Sequence, residues 1–352
     1  MSNRARWQKY MMIVSAGVLL SACGGGGGSG DSPPPQPVPP STPPGPTTAE
    51  RASAATQTAD TNGMCTVIQP FYWEIGDKTA ALASGSVGGS TYTATTVMPI
   101  ASASKWIFGS YVVQLRAGQL NSADISALTM RSGYTSLGEL SCVVLPSNQQ
   151  DAETVSDCFH ADGNDAFDVN AVDHFFYNGG HFQKLAVDLG LGNDNNASLQ
   201  AHIQSQLGSD FAFSYGFPQL AGGVSTSAAN YAVLLRKILG NQLFMHDRLG
   251  SNAVCTNLNA PFNATTCPQI PLGTPSPSTE SWHYSLGHWL EDDPTVGDGA
   301  FSSPGAFGFY PWIDASKTYY GVLARKGPPG SGFDSASCGR LIRKAWVTAT
   351  VQ

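Results

Sequence analysis

The sequence predicts an α+β fold: an antiparallel β-sheet flanked by helices, plus an all-helical subdomain. Three observations carry this. Segments with the period of strands cluster at the two ends of the folded part. The stretch between them, 118–235, reads mostly as helices and long loops. An apolar helix opens the middle, and a second helix closes the chain.

Taken in order, the first residues lie outside the fold. Arg4, Arg6 and Lys9 form a positive leader, and Met11–Leu20 is an apolar run too short to span a bilayer as a folded helix. Residues 1–22 are therefore expected to be a signal peptide. Leu20-Ser-Ala-Cys23 resembles the lipobox of bacterial lipoproteins, which implies a lipid on Cys23 and Cys23 as the mature N-terminus. Gly24 after the cysteine, by the rule of that family, leaves the protein free to reach the outer membrane, facing the periplasm or the cell surface. Residues 23–58 are rich in Gly, Ser, Pro and Thr and have little to bury, so a linker is expected. Residues 59–352 are then one domain, with the helical subdomain at about 120–240.

Within that domain, Thr66–Ile75 and Thr79–Val87 read as strands meeting at a Gly-Asp turn. From Trp106 the apolar residues take helical spacing: Ile107, Tyr111 and Leu115 form one stripe, with Phe108 and Val112 beside it. The helix starts near Ser102, has Arg116 in its last turn and stops at Gly118. Further helices are expected at Ser122–Leu128, His181–Leu189, Ala197–Leu207 and Ala228–Leu239. Strands return at Trp282–Glu291, Ala306–Asp314 and Thr318–Lys326, and Cys338–Ala349 has helical spacing through Leu341, Ile342 and Trp346.

Composition narrows the function classes. The net charge is −7 with no basic cluster, which argues against nucleic acid as a partner. Charged residues are 12% of the chain, low for a globular protein and common in exported ones. Cys23 apart, six of the 7 cysteines remain, an even number that suits an oxidising compartment. Proximity favours Cys142–Cys158 and Cys255–Cys267, leaving Cys65–Cys338 to join the first strand to the last helix. No Cys-x-x-Cys or His-Glu-x-x-His occurs, so neither a metal site nor a cofactor is expected. The chain is expected to act as a monomer.

The chemistry begins at Ser102. Ser102 and Lys105 lie three apart at a helix mouth, hence on one face, where the ammonium reaches the hydroxyl. Serine needs a neighbour to take its proton, and helix N–H groups favour an oxyanion there. Pro99-Ile-Ala-Ser-Ala-Ser-Lys-Trp106 resembles the Ser-x-x-Lys motif of the penicillin-recognising serine hydrolases, which include class C β-lactamases, D-Ala-D-Ala peptidases and related esterases. That resemblance implies a serine β-lactamase / D-Ala-D-Ala peptidase-like fold over roughly residues 65–348.

Other segments extend the resemblance. Leu128-Thr-Met-Arg-Ser-Gly-Tyr134, Ala228–Gly240 and Trp282–Trp289 resemble family segments whose preference is packing. Phe175-Phe-Tyr-Asn-Gly-Gly-His-Phe-Gln183 resembles the second motif, Tyr-x-Asn, and implies that Tyr177 moves the serine proton; the asparagine is displaced. Ser302–Asp314 resembles the third-motif strand, with Ser303-Pro304-Gly305 where the family carries Lys-Thr-Gly or His-x-Gly. This implies that Ser303, Gly305 and Ala306 border the substrate, with the N–H groups of Ala306 and Ser102 forming the oxyanion hole.

Together these features lead to an extracytoplasmic serine hydrolase forming an acyl-enzyme on Ser102, of carboxylesterase type. Its partner is a small ester, amide or peptide substrate, and the membrane is reached through Cys23. The alternatives are a β-lactamase or D-Ala-D-Ala peptidase acting on the cell wall, against which the missing third-motif lysine speaks, and a non-catalytic binding lipoprotein on the same scaffold. The absence of Gly-x-Ser-x-Gly excludes the α/β-hydrolase elbow.

Overall fold

The computed structural model describes residues 45–138, 142, 153–257 and 280–352. The signal peptide, Cys23, most of the linker and Cys267 lie outside these residues, so the Cys23 and Cys255–Cys267 expectations fall beyond what is described. No helix among the described residues is long and apolar enough to cross a membrane.

The chain opens with α1 (Thr48–Thr61) and α2 (Gly63–Thr66), then β1 (Phe71–Gly76), β2 (Ala81–Val87) and β3 (Met98–Pro99). A 3-10 turn, Ala101–Ala103, leads into α3 (Ser104–Leu115). Next come α4 (Ser122–Leu128), β4 (Ser132–Tyr134), α5 (Val155–His160), β5 (Phe167–Val172) and α6 (Gly180–Ala186). They are followed by α7 (Asn196–Leu207), β6 (Ser214–Tyr215), β7 (Val224–Thr226), α8 (Ala228–Leu239) and α9 (Met245–Arg248). The last strands are β8 (Val254–Cys255), β9 (His283–Tyr284), β10 (Trp289–Glu291), β11 (Ala300–Ser302), β12 (Tyr310–Ile313) and β13 (Tyr320–Ala324). Helix α10 (Gly332–Thr348) closes the chain.

Eight strands make one antiparallel sheet in the order β2-β1-β13-β12-β11-β10-β9-β8. The first strands of the domain thus pair with its last, Tyr72 opposite Ala324. Strand alternation assigns the two faces. Tyr310 and Trp312 of β12 face α10: the Arg343 guanidinium donates to the Tyr310 hydroxyl and lies 5.0 Å over the Trp312 ring. Ile313 and its partner Tyr320 face the other way, where Arg236 of α8 donates to the Tyr320 hydroxyl. Arg343 is buried among Glu291, Asp298 and Tyr310, each charge having a partner, as burial of charge demands. This fold is the expected α+β architecture, an antiparallel sheet with helices on both faces.

The structure also moves some expected boundaries. Residues 48–58 were expected to be linker, but they are α1. The segment begins with a capping box between Thr47 and Glu50, and Ala54, Ala55, Thr58 and Ala59 are buried. Small side chains let α1 lie close against α10, and Arg51 donates to the Trp346 and Val347 carbonyls. Thr66–Gln69 is not strand: Thr66 ends α2 and β1 starts at Phe71. The single strand expected over 282–291 is two, because Ser285–His288 forms a turn in which Gly287 has φ +82°. Strands β3, β4, β6, β7 and β11 give too few residues for a period to show, while β5 (Phe167–Val172) shows no alternation because its first four residues are all exposed. Disulfides join Cys65 to Cys338 and Cys142 to Cys158.

Candidate active site

The Ser102 turn is built by the chain reversal from β3 into α3. β3 pairs with β7, and Ala101 takes φ 44°, left-handed for a non-glycine residue. Such conformations persist only where surrounding contacts hold them, and they gather at functional sites. Here the Ser104 hydroxyl donates to the Ala101 carbonyl at 2.7 Å and accepts from the Val224 N–H. Ser102 therefore stands at the start of a helix whose residues 104–113 are all buried.

Lys105 lies one turn on, buried, and its Nζ donates to Ser102 Oγ at 2.9 Å and to the Ala221 carbonyl at 3.0 Å. The same ammonium is 4.8 Å over the Tyr177 ring. Tyr177 is half-buried, stacked on Trp289 at 5.3 Å and edge-on to Tyr284 at 5.8 Å. Burial pushes its phenol up to about 12, while hydrogen bonds with Ser102 and Trp289 pull the other way. Ser102, Lys105 and Tyr177 are thus in mutual contact.

The third-motif segment continues β11 toward β12. Ser303 N–H donates to the Pro311 carbonyl and Gly305 N–H to that of Phe309. Gly305 has no room for a side chain, since a Cβ there would sit 2.1 Å from the Ile100 carbonyl oxygen. This close approach lays the segment directly against the Ser102 turn. The Ser303 hydroxyl is buried and donates to the Ser102 carbonyl at 3.1 Å, so it holds the turn from behind. Ala306 is exposed, and among the described residues neither its N–H nor that of Ser102 donates to a backbone carbonyl.

Two further polar residues by these segments, His181 and Arg325, take structural places. His181 is buried; its Nδ1 meets the Ser132 hydroxyl at 2.7 Å and its Nε2 the Phe176 carbonyl at 3.0 Å, and burial lowers its pKa to about 4. Arg325 lies beneath the 305–308 loop, donating to Ser335 Oγ at 2.9 Å with Asp334 at 3.9 Å. Two contributors escape sequence reasoning. Trp289 was read as packing, and its indole's bond to the Tyr177 hydroxyl depends on orientation. The Ala221 carbonyl has no side-chain signal at all. Among the described residues no cluster of metal-ligating side chains exists.

An antiparallel sheet with the helix that follows Ser102 buried against it and the 303–306 segment lying over the Ser102 turn is the serine β-lactamase / D-Ala-D-Ala peptidase fold. Comparison with solved structures agrees. An octameric penicillin-binding protein homologue from Pyrococcus abyssi superposes with a TM-score of 0.55 at 14% identity, over 82% of this chain and 75% of that one. FmtA from Staphylococcus aureus gives 0.54 at 14% identity, over 81% and 86%. A D-stereospecific amidohydrolase from a Streptomyces species gives 0.54 at 12% identity, over 87% and 100%. Identities this low speak for the fold alone. No family model matches the sequence, and no curated protein matches it.

Proposed function

We propose that the chain is a serine hydrolase that forms an acyl-enzyme on Ser102 and acts on small uncharged esters. The observation that carries this is the 2.9 Å contact of Lys105 Nζ with Ser102 Oγ, with Tyr177 on the same hydroxyl. Ser102 Oγ attacks the ester carbonyl. Its proton passes to Lys105 in the free-amine form, directly or through the Tyr177 phenol, which gives its own proton to the amine as it takes that of Ser102. The ammonium so formed stabilises the negative charge of the tetrahedral intermediate. With a pKa near 12, the phenol stands protonated at neutral pH, so it relays a proton rather than storing a charge. The tetrahedral oxyanion is received by the Ser102 and Ala306 N–H groups, donors of a kind worth ~3 kcal/mol each. The pair returns the proton to the leaving alkoxide, and water then releases the acyl group by the same path.

The preference for uncharged substrates follows from the third-motif segment. Ser303 spends its hydroxyl on the Ser102 carbonyl, and Pro304 has no N–H to offer. Arg325, beneath the 305–308 loop, is committed to Ser335 and has Asp334 at 3.9 Å. Among the described residues, Ser303–Ala306 thus offers a carboxylate-bearing penicillin or D-alanyl peptide no charge-assisted donor of its own. The test is kcat/KM for a p-nitrophenyl ester against that for nitrocefin; a ratio well above one is expected, and a ratio below one would refute the esterase reading.

For location, the reading is an exported lipoprotein anchored through Cys23, supported by the Leu20–Cys23 motif and the cysteine count. Mass spectrometry of the membrane-extracted protein should find a diacylated or triacylated Cys23 as the first residue. An unmodified N-terminus elsewhere would contradict it.

A further inference from the structure

Asn178 directly follows Tyr177, and its carboxamide is engaged on three sides. Oδ1 accepts from the Leu137 N–H at 3.1 Å and the Gly180 N–H at 2.8 Å, while Nδ2 donates to the Leu137 carbonyl at 3.2 Å. One side chain thus ties the peptide of Leu137 to the turn carrying Tyr177. The Leu137 side chain is buried and fills the space over Gly179. A Cβ at that glycine would lie 2.7 Å from Leu137 Cδ2 and 2.9 Å from the Ala221 Cβ. A residue with a side chain, asparagine included, has no place at 179.

The second surface that Gly179 touches is Ala221, whose carbonyl receives Lys105 Nζ at 3.0 Å. Leu137, Gly179 and Ala221 therefore form one packed junction, with Tyr177 two residues from one member and Lys105 hydrogen-bonded to another. The junction is held from outside as well. Gly138 N–H donates to Asn164 Oδ1, and Asn164 Nδ2 donates to the Cys158 carbonyl, each at 2.8 Å. Leu137 shares its cluster with Cys142, Cys158 and Phe217.

We infer that Asn178 is a positioning residue: by fixing Leu137 against Gly179 and Ala221, it sets the Tyr177 hydroxyl and the carbonyl that receives Lys105 in one register. This rests on reading Ser102, Lys105 and Tyr177 as the acyl-transfer site. Displacement of a reacting group by about 1 Å costs up to about 100-fold in rate, so a junction of this kind acts on kcat and leaves binding alone.

The test compares Asn178→Ala, Leu137→Ala and the volume-conserving Leu137→Met with the parent domain. Two readouts are taken: p-nitrophenyl acetate hydrolysis, and amide hydrogen exchange by mass spectrometry. Asn178→Ala is expected to lower kcat about 30-fold with KM within about twofold, Leu137→Ala about 10-fold, and Leu137→Met is expected to restore most of the rate. In both alanine variants, exchange should quicken together at 176–181 and 219–223 while β1 and β13 keep their protection. Unchanged kcat, or faster exchange confined to 136–138, overturns the inference, as does loss of protection throughout the molecule. A parent without esterase activity would sink the acyl-transfer reading instead, and the joint exchange of the two segments would then decide the junction alone.

Discussion

The two walls that meet at Ser102 divide the work differently. One wall, α3 with the Tyr177 turn, presents an ammonium and a phenol to the serine hydroxyl. The other, Ser303–Ala306, lies just as close, yet its one side-chain hydroxyl points at the Ser102 backbone carbonyl. Proximity to the Ser102 hydroxyl is therefore not a role. What a polar atom can do depends on whether the fold has already used its hydrogen bond.

The sharpest way to break this comparison is to remove the nucleophile. Ser102→Ala should reduce ester hydrolysis by at least about 10⁴-fold with the thermal midpoint nearly unchanged, since the variant loses one partly exposed hydroxyl. Turnover near the parent rate would place the chemistry elsewhere.

Tyr177→Phe comes next. It keeps the stack on Trp289 and removes the hydroxyl that meets Ser102 and the Trp289 indole, and a loss of about 10²- to 10³-fold in kcat is expected. The parent rate should also climb with pH above 7 and show no inflection near 6.5, because His181 is tied behind this wall to Ser132 and Phe176. A bell with a limb near 6.5 would argue for a histidine base.

His181 sharpens the contrast in a different quantity, stability. Burial lowers its folded pKa from 6.5 to about 4, and His288, stacked on Trp106, is lowered to about 4 as well. Between those values the unfolded chain binds protons that the folded one refuses. Stability present above pH 6.5 is therefore lost as pH falls toward 4, at up to ~1.4 kcal/mol per pH unit for each group. Denaturant unfolding across this range should show the fall, and the double variant His181→Gln/His288→Gln should flatten it.

The smallest effect is expected at Ser303. Ser303→Ala removes one neutral hydrogen bond from behind the turn, worth ~1 kcal/mol, so kcat should drop about fivefold with KM for a neutral ester unmoved. A large rise in KM instead would mean that the hydroxyl faces substrate, and the contrast between the walls would fail.

How much of this could be read in the sequence follows from the range of each interaction. Ser102 and Lys105 are legible because one helical turn places them together whatever the rest of the chain does. Helices α4 and α8 are legible for the same reason, as periodic runs ended by clear caps. Tyr177 needed the family resemblance, since 75 residues separate it from Ser102. The direction of the Ser303 hydroxyl, the left-handed Ala101 and the Leu137–Gly179–Ala221 junction are tertiary facts with no local signature. Helix α1 was hidden for the opposite reason: its alanines and threonines look like linker until α10 is there to receive them.

The central claim, that Ser102 is an activated nucleophile, is tested most directly by a fluorophosphonate. The parent and Ser102→Ala are incubated with the probe at neutral pH, and intact mass and peptide mapping follow. One adduct per chain, located on Ser102 and absent from the variant, is the expected result. A folded parent that takes no label, or carries it on another residue, would contradict the account.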